Sequence, residues 1–415
     1  MHAWTHWTKS AGIAMLALLG MVAAACGGSS TPTITLNRSG TITIWHQYDG
    51  PYLDAKKAIY DAYTKQYPNV TINLVLKPKL IDAVSAAAGS SQGPDIVAWV
   101  DDQIGKWVKL QAIKPMDSYV DKSYMNSQFS QAAVDAATFQ GKIYGLPESV
   151  ETITLLYNKK LVNASDVPKT ADALVRFAKN YATSKPGEFG VVWNPTDAYF
   201  QAPWIYGSGG FYVKADGTVG LSSAGTKAGF NYVASFKGLM PTQVDSGIAD
   251  TLFKQGKAAM IITGPSSVAG YTKAGVQYGF ATLPVIAPPI NKPASPFVSV
   301  KTLMLGNFST NPALAVDVMK FFTNKANQTN MVLATKEIPA NKLALADPKV
   351  QAIPDIAGFG AQVKNGVALP NTPFMSGLLD PVNKALAAVW TGKQSVDAAL
   401  GDAQLAAEKN VAQLK

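Results

Sequence analysis

The sequence predicts an α/β protein whose two lobes are connected by several crossing segments. Short buried strands alternate with amphipathic helices through most of the 415 residues, which is the pattern of βα units arranged around a sheet. Hydrophobic residues make up 47% of the chain and charged residues only 15%, so it can bury large cores and is not disordered. Without the leader described below, roughly 390 residues remain, which is too many for one core and suits two lobes.

The periodicity of apolar residues places the individual elements. Alternating or continuously apolar stretches predict strands at residues 41–45, 70–76, 95–99, 152–157, 189–193, 258–262 and 297–305. Apolar residues three and four apart predict helices at residues 52–67, 80–88, 171–182, 200–208, 224–237, 248–255, 312–323, 375–390 and 395–411.

The order of these elements indicates where the chain passes between lobes. Crossings are expected near residues 149–151, 298–300 and 339–352. We therefore assign residues 40–149 and 300–345 to the first lobe, and residues 150–299 and 346–415 to the second.

The first 25 residues have the order of a secretory signal peptide. A single Lys9 precedes an apolar stretch at residues 11–22, and small residues at 23–25 precede Cys26. The apolar stretch is too short to span a membrane. Cys26 is the only cysteine, so a disulfide within the chain is excluded, and its position resembles a lipobox. We expect Cys26 to be diacylated and residues 26–39 to be a tether, because two acyl chains anchor a protein stably.

The charge pattern argues against nucleic acid as a partner. The formal net charge is +9, but the lysines are scattered, without an aromatic-interleaved basic run. The adjacent pairs Lys56-Lys57 and Lys159-Lys160 are interpreted as solvated surface residues. Such a surface is favourable beside anionic lipids.

Residue counts exclude several classes of enzyme. His2 and His6 leave with the signal peptide, so His46 is the only histidine of the mature chain. A His/Cys zinc cluster and a cysteine nucleophile are therefore excluded, and no P-loop or nucleophile elbow occurs in the sequence. We expect no enzyme activity, no cofactor and no metal. A secreted carbohydrate-active enzyme stays open as the alternative, since the sequence does not exclude a second carboxylate opposite Glu148 or Glu151.

The clearest signal for a binding site lies where one buried strand ends. Apolar residues 96–98 run directly into Trp99, Asp101 and Asp102. In an open α/β sheet, ligands bind at the carboxyl ends of strands. An aromatic ring covers the apolar C–H faces of a polyhydroxyl ligand, while carboxylates accept its hydroxyl protons. The alternative is that Trp99 is a core residue and the acids cap the next helix.

Seven segments, spread in order over nearly all of the chain after residue 40, carry a resemblance to a known family. They are TITIWHQYDGPY, GPDIVAWVDDQIGKWV, GKIYGLPESVETITLLYNKKLV, DAYFQAPWIYGSGGFYV, ADTLFKQGKAAMIITGP, LPVIAPPINKPASPFVSV and LPNTPFMSGLLDPVNKAL. The chain resembles the extracellular solute-binding protein family 1 of bacterial ABC importers, and within it the maltose/maltodextrin-binding proteins. The resemblance implies a periplasmic-binding-protein clamshell of type II with a multi-strand hinge, which closes on a ligand between its lobes. It also implies an oligosaccharide ligand, ABC permease subunits as partners, and a monomer.

The resemblance assigns the residues that contact the ligand. Trp99 and Asp102 match the family's Trp and Asp of the first lobe, Glu151 matches its hinge glutamate, and Asp197 and Tyr199 match a Glu and a Tyr of the second lobe. The complete predicted set is Tyr48, Asp49, Trp99, Asp101, Asp102, Glu148, Glu151, Asp197 and Tyr199. Alternatives remain, in which Tyr199 packs internally and Glu148 is simply solvated. Trp45 is expected to be a core residue.

The chain also departs from the maltose-binding pattern. Ser266 replaces a stacking Trp, Leu379 and Asp380 replace an aromatic pair, and Gln103 replaces an Arg. The second lobe thus lacks two aromatic platforms, each worth about 1 kcal/mol beyond its buried area. The candidate replacements are Trp193, Trp204 and Phe211. Because of the acids Asp101, Asp102, Glu148 and Glu151, a polyamine is the alternative ligand in the same fold.

Overall fold

A computed structural model describes residues 36–88, 90, 92–286 and 290–415 of the chain. The predicted signal peptide, Cys26 and most of the predicted tether lie outside these residues. None of the helices in the described part is both long enough and apolar enough to cross a membrane.

Twelve strands form within the described residues, and most of their side chains are buried. In chain order they are β1 Gly40–His46, β2 Val70–Leu76, β3 Ile96–Val100, β4 Thr138–Phe139, β5 Lys142–Ile143, β6 Gly145–Glu151, β7 Thr154–Asn158, β8 Met260–Thr263, β9 Tyr278–Ala281, β10 Phe297–Leu305, β11 Ile338–Pro339 and β12 Val367–Ala368.

The same part of the chain forms seventeen α-helices. They are α1 Gly50–Gln66, α2 Leu80–Ala87, α3 Ile104–Lys109, α4 Lys122–Gln128, α5 Gln131–Ala136, α6 Ala171–Ser184, α7 Ala198–Gly207, α8 Ala224–Ala234, α9 Ser246–Lys254, α10 Val268–Lys273, α11 Pro312–Thr323, α12 Lys325–Thr335, α13 Lys342–Leu345, α14 Pro348–Gln351, α15 Pro354–Val363, α16 Leu379–Thr391 and α17 Val396–Leu414.

Two main sheets, a larger and a smaller one, organise these elements, and β4 and β5 pair separately with each other. The larger sheet has the order β11-β6-β10-β3-β1-β2, and β12 also pairs with β10. Its strands β1, β2 and β3 are parallel, whereas β10 is antiparallel to β3 and to β6. The smaller sheet has the order β8-β7-β9 and is antiparallel. The predicted α/β class is thereby confirmed.

The chain passes between the two sheets several times. It leaves the larger sheet after β6 for β7, and it returns from β9 to β10. After β11 it continues through α13 and α14 to α15, which packs on the smaller sheet; the ring centroids of Phe359 and Phe280 are 5.3 Å apart. β12 then returns to β10 before α16 and α17. The division of residues between lobes stays a prediction.

Three buried clusters support this arrangement. One runs through both sheets and includes Ile44 of β1, Leu155 of β7 and Ile262 of β8. A second fills the space between α7, α8, α16 and α17. The third lies beneath the loop that follows β3 and contains Trp107 and Met304. This last cluster fixes the loop that carries the strongest sequence signal.

Most predicted elements agree with the structure, and three of them, at 70–76, 297–305 and 312–323, agree to the residue. The predicted strand at 189–193 is wrong: Phe189 and Val192 make only isolated parallel bridges to Ala258 and Ile261. The predicted helix at 375–390 is also wrong at its start. There a 3₁₀ turn over Pro373–Gly377 precedes α16, and the Asn410 side chain hydrogen-bonds the Gly377 carbonyl oxygen at 2.9 Å, outside any helical ladder.

Candidate ligand-binding cleft

Asp101 connects the loop after β3 to the strand β10. The loop turns at once into a 3₁₀ helix over Asp101–Gln103, and the Asp101 side chain is fully buried. Its Oδ1 accepts a hydrogen bond from the Val300 backbone N–H at 2.7 Å, next to the last backbone pair of the ladder, Lys301 with Val100. The carboxylate thus extends the pairing of β3 and β10 by one residue. Asp101 is therefore first of all a residue that fixes the loop.

Three polar atoms at the end of β3 and in this loop are buried and have no hydrogen-bond partner among the described residues. They are Trp99 Nε1, Asp101 Oδ2 and Asp102 Oδ1. The other oxygen of Asp102 accepts from Gln103 Nε2 at 2.9 Å. Burial raises the pKa of Asp101 well above its usual range, and burial also raises the pKa of Asp102. Buried polar atoms are nearly always paired in proteins, so such a cluster indicates that water or a ligand completes it.

The opposite wall comes from the start of α7. Asp197 is the N-cap of this helix, and its Oδ1 accepts from the Tyr199 backbone N–H at 2.8 Å. The half-buried Tyr199 ring lies 5.9 Å from Phe297, and Ser299 Oγ donates to its hydroxyl oxygen at 3.3 Å. Burial raises the pKa of Tyr199, so its hydroxyl keeps its proton at neutral pH. The cap and the ring contacts hold both side chains in place.

A cavity of about 300 Å³ lies between these two walls. Asp102 and Gln103 line one side, Asp197 and Tyr199 line the other. The remaining lining residues are Lys106, Phe297, Leu369, Thr372, Pro373, Met375, Ser376, Leu379 and Asn383. The structure therefore brings together two pairs of residues that are about 95 positions apart in sequence, and three of these four residues belong to the predicted set. Trp99 does not line this cavity; its partly buried ring packs against the cluster that contains Trp107.

A second cavity, of about 590 Å³, lies at the carboxyl end of β6. Its lining from the larger sheet includes Glu151 and Ile338, and Glu337, which directly precedes β11, also lines it. Other elements contribute Ser266 and Asp355. Its charged lining also includes Lys273 and Lys336. The two cavities share no lining residue. Of the predicted site residues, Asp102, Asp197 and Tyr199 line the smaller cavity and Glu151 lines this one, and the others line neither.

Glu148 is not solvated, and Lys56 is not on the surface. Only 3% of Glu148 and 1% of Lys56 are exposed, and Lys56 Nζ donates to both carboxylate oxygens at 2.6 Å. The Tyr52 hydroxyl also donates to Glu148. Burial lowers the pKa of Lys56, and the Glu148 carboxylate opposes that shift. The interpretations of Glu148 as solvated and of Lys56 as a surface residue are both wrong. The two residues pair across 92 positions of sequence, from different elements, which a local pattern does not show. A ligand contact of Glu148 stays a prediction.

Tyr48 and Asp49 directly precede α1. Tyr48 is partly buried against Tyr52, with ring centroids 4.9 Å apart, and its hydroxyl has no partner among the described residues. Asp49 is exposed at the N-cap position but makes no side-chain cap hydrogen bond. Neither residue lines the two cavities described above. Their ligand contacts stay a prediction.

The proposed replacements for the missing aromatic platforms are mostly wrong. Trp193 and Trp204 are fully buried in the core, with ring centroids 6.3 Å apart, so neither can stack on a ligand. Phe211 is partly buried and lines neither cavity. Trp45 is partly buried and packs against the cluster that contains Trp107, in line with the expected core position. Lys77 Nζ lies 4.1 Å from the centre of its ring.

Sequence reasoning missed several lining residues. Asn383 Oδ1 accepts from the Ala198 backbone N–H at 2.8 Å, so it ties α16 to the start of α7 beside Asp197. Leu379 supplies apolar lining, whereas Asp380 points to solvent and pairs with Lys384 at 2.8 Å. The sequence did offer one signal for these lining residues. Leu379 and Asp380 depart from the family pattern, and the segment that contains them contributes to this wall of the cavity.

Replacement of Asp101 by Asn should flatten the dependence of stability on pH. The pKa of Asp101 is higher in the folded protein than in the unfolded chain, so the folded state binds this proton more tightly. Stability contributed by that proton is present at low pH and is lost as pH rises through the folded pKa. Asn keeps an oxygen for Val300 N–H but does not titrate. Unfolding free energies from urea titrations between about pH 4 and pH 8 should therefore fall less steeply for D101N; parallel curves would contradict this.

Comparisons with known proteins place the chain in a family. Residues 58–358 match the family described as bacterial extracellular solute-binding protein. The maltotriose-binding protein of Pyrococcus abyssi (strain GE5 / Orsay) is 30% identical over 88% of this chain and 78% of its own length. The galactooligosaccharide-binding protein of Bacillus subtilis (strain 168) is 30% identical over 95% of this chain and 96% of its own length.

A solved structure extends the agreement to the fold. The crystal structure of a cyclo/maltodextrin-binding protein complexed with maltotetraose superposes with a TM-score of 0.84 at 31% identity, over 92% of this chain and 100% of that one. The predicted two-lobed clamshell of type II is thereby confirmed. The chain therefore belongs to the bacterial extracellular solute-binding protein family and is a binding protein rather than an enzyme.

Proposed function

We propose that this protein is the substrate-binding component of an ABC sugar importer. It binds an oligosaccharide in the cleft between its lobes and delivers it to the permease subunits. The observation that carries the proposal is the cavity in which Asp102 faces Asp197 and Tyr199. Relatives support the class of ligand, since their names specify maltotriose, galactooligosaccharide and maltodextrin.

The chemistry of the cleft suits a polyhydroxyl ligand. Carboxylates accept hydroxyl protons, and the Tyr199 ring offers an apolar face for C–H groups. The unpartnered Asp102 Oδ1 and Trp99 Nε1 add a buried acceptor and a buried donor close by. A largely apolar pocket with a few convergent polar groups is the usual form of a small-molecule site.

The same geometry supports a closing motion. Asp102 lies on one wall, and Asp197 and Tyr199 lie on the other. A ligand that contacts both walls stabilises the state in which they are near each other. The proposed work of the protein is therefore a hinge closure driven by contacts that exist only in the closed form.

Calorimetric titration against a panel of malto- and galacto-oligosaccharides tests the proposal. At least one member should bind to the wild type, and Asp197→Ala should weaken that binding. Asp402→Ala, an exposed acid on α17, is the matched control and should leave binding unchanged. Spermidine belongs in the same panel, because tight binding of this polyamine with no binding of any sugar would contradict the proposal.

We further propose that the protein is anchored outside the cytoplasm through Cys26. The support is the sequence order of a signal peptide that ends at the single cysteine. Two relatives from Streptococcus pneumoniae are named solute-binding lipoproteins.

Cys26→Ser should release the protein from membranes, because the serine hydroxyl does not accept the thioether-linked lipid and the anchor is then lost. Metabolic labelling with a clickable fatty acid should mark the wild type only. Equal labelling of both proteins, or equal retention in the membrane fraction, would contradict the anchor.

A further inference from the structure

Lys301 of β10 lies at the centre of a charge cluster that the ligand-binding proposal does not use. Its side chain is only 14% exposed, and its Nζ is 2.8 Å from Glu151 Oε1 and 2.5 Å from Glu337 Oε1. Ser149 Oγ donates to the other oxygen of Glu337 at 2.8 Å. The Nζ also lies 4.7 Å from the centre of the Tyr52 ring. This set, Ser149, Glu151, Lys301 and Glu337, is called the crossing cluster below.

The crossing cluster joins segments through which the chain passes between its two sheets. Glu151 ends β6, immediately before the chain leaves for β7. Lys301 lies in β10, which brings the chain back, and Glu337 directly precedes β11. In the sheet, Ser299 pairs with Glu151 and Ile338 pairs with Val150, so the three segments are neighbours. One ammonium group therefore contacts two crossing segments from a third.

The crossing cluster contains two carboxylates and one ammonium group, and this excess of negative charge determines the protonation state of Lys301. Burial acts to lower the pKa of Lys301, but Glu151 and Glu337 outweigh it and raise that pKa, so the ammonium stays charged. Burial raises the pKa of Glu337. Glu151 is the most exposed member, at 43% of its side chain, and it lines the 590 Å³ cavity. Lys301 engages Glu151 through Oε1 alone, so the ion pair does not use Oε2 of this cavity-lining residue.

We propose that Lys301 is a positioning residue, which holds the Glu151 carboxylate as a hydrogen-bond acceptor at the cavity wall and ties it to the segment of Glu337. It acts on the ligand through Glu151 and does not itself line the cavity. This inference rests on the proposed function and extends it, because it places part of the oligosaccharide in the larger cavity, which shares no lining residue with the cavity of Asp102, Asp197 and Tyr199.

A double-mutant cycle separates this role from a merely structural one. Lys301→Met should weaken binding of the best oligosaccharide in the panel by about tenfold or more in the wild-type background, since an oriented charged acceptor is lost. In a Glu151→Gln background the same change should cost little further affinity. Lys301→Arg should restore most of the binding. Lys409→Met removes an exposed cation on α17, outside both cavities, and it should have little effect.

A second measurement does not depend on any ligand. The carboxyl carbon of Glu337 can be titrated by NMR in ligand-free protein, and Lys301→Met should raise its titration midpoint because the neighbouring cation is removed. Circular dichroism shows whether each variant is folded; if Lys301→Met is not, Lys301→Gln replaces it in both measurements.

The outcomes distinguish this inference from the proposed function. A wild type that binds no sugar refutes the proposed function, and with it the ligand role of Lys301, whatever the titration shows. With binding present, an equal loss of affinity in both backgrounds, no loss at all, or unchanged titration of Glu337 would overturn the positioning role.

Discussion

Trp99→Ala is expected to weaken oligosaccharide binding by about 1–3 kcal/mol, or roughly tenfold to over a hundredfold. The ring closes the end of β3 beside Asp101 and Asp102, and its Nε1 has no partner among the described residues. Because the ring is only partly buried, the loss of folding stability should stay below the usual cost of about 3–5 kcal/mol for a core Trp→Ala change. Calorimetry gives the affinity and thermal unfolding gives the stability.

Trp107→Ala is the matched control for this measurement. Trp107 belongs to the same cluster but is fully buried, so its replacement should reduce stability far more than affinity per folded molecule. If Trp99→Ala behaves in the same way, with a collapsed midpoint and normal binding by the folded fraction, Trp99 is a core residue and not a platform.

Lys56→Met is expected to destabilise the folded protein by about 3–5 kcal/mol. The change leaves the Glu148 carboxylate buried without its cation, since both of its oxygens contact Lys56 Nζ. Urea unfolding measures the loss. The neighbouring Lys57 is exposed, so Lys57→Met is the matched control and should change stability by less than about 0.5 kcal/mol.

The double variant Lys56→Met/Glu148→Leu tests the cause of that loss. Replacing both charges with apolar groups removes the uncompensated carboxylate, so much of the stability should return. Equal stability of Lys56→Met and Lys57→Met would contradict the buried pair. A double variant that is clearly less stable than Lys56→Met would contradict it too, because the loss would then not come from the uncompensated carboxylate.

The strands and helices were largely predictable because their local patterns are strong. β2 and β10 read as apolar or alternating stretches with clear ends, and α11 begins at Pro312, a residue that favours the first turn of a helix. The segment at 189–193 has the same apolar composition as a strand. It does not form a strand, because it makes only isolated bridges to Ala258 and Ile261. A local sequence pattern does not show whether a segment pairs continuously with its neighbour.

The two walls of the smaller cavity were predictable from motifs, whereas the buried ion pairs of Lys56 and Lys301 were not. Asp102, Asp197 and Tyr199 were identified by their places in family segments, and the structure brings them to one cavity. Lys56 and Lys301 are ordinary lysines in the sequence. Their partners lie 92 and 150 positions away, so their burial follows from the arrangement of α1, β6 and β10.

Similarly, burial of Trp193 and Trp204 depends on packing that periodicity does not resolve. Trp193 lies 4.8 Å from Phe236 and Trp204 lies 4.5 Å from Tyr232, between ring centroids. Tyr232 is on α8 and Phe236 lies just beyond its end, in a segment that the sequence predicts as a helix without indicating what it covers. Large aromatic residues near a predicted cleft therefore did not identify the ligand platform.

Small-angle scattering with and without a saturating oligosaccharide tests the central claim most directly, namely that a ligand between the two walls closes the clamshell. The radius of gyration should fall on binding, because Asp102 and Asp197 are brought to the same ligand from opposite walls. Asp197→Ala should bind more weakly and close less even when saturated. An unchanged radius of gyration, with a sugar that calorimetry shows to be bound, would contradict the account.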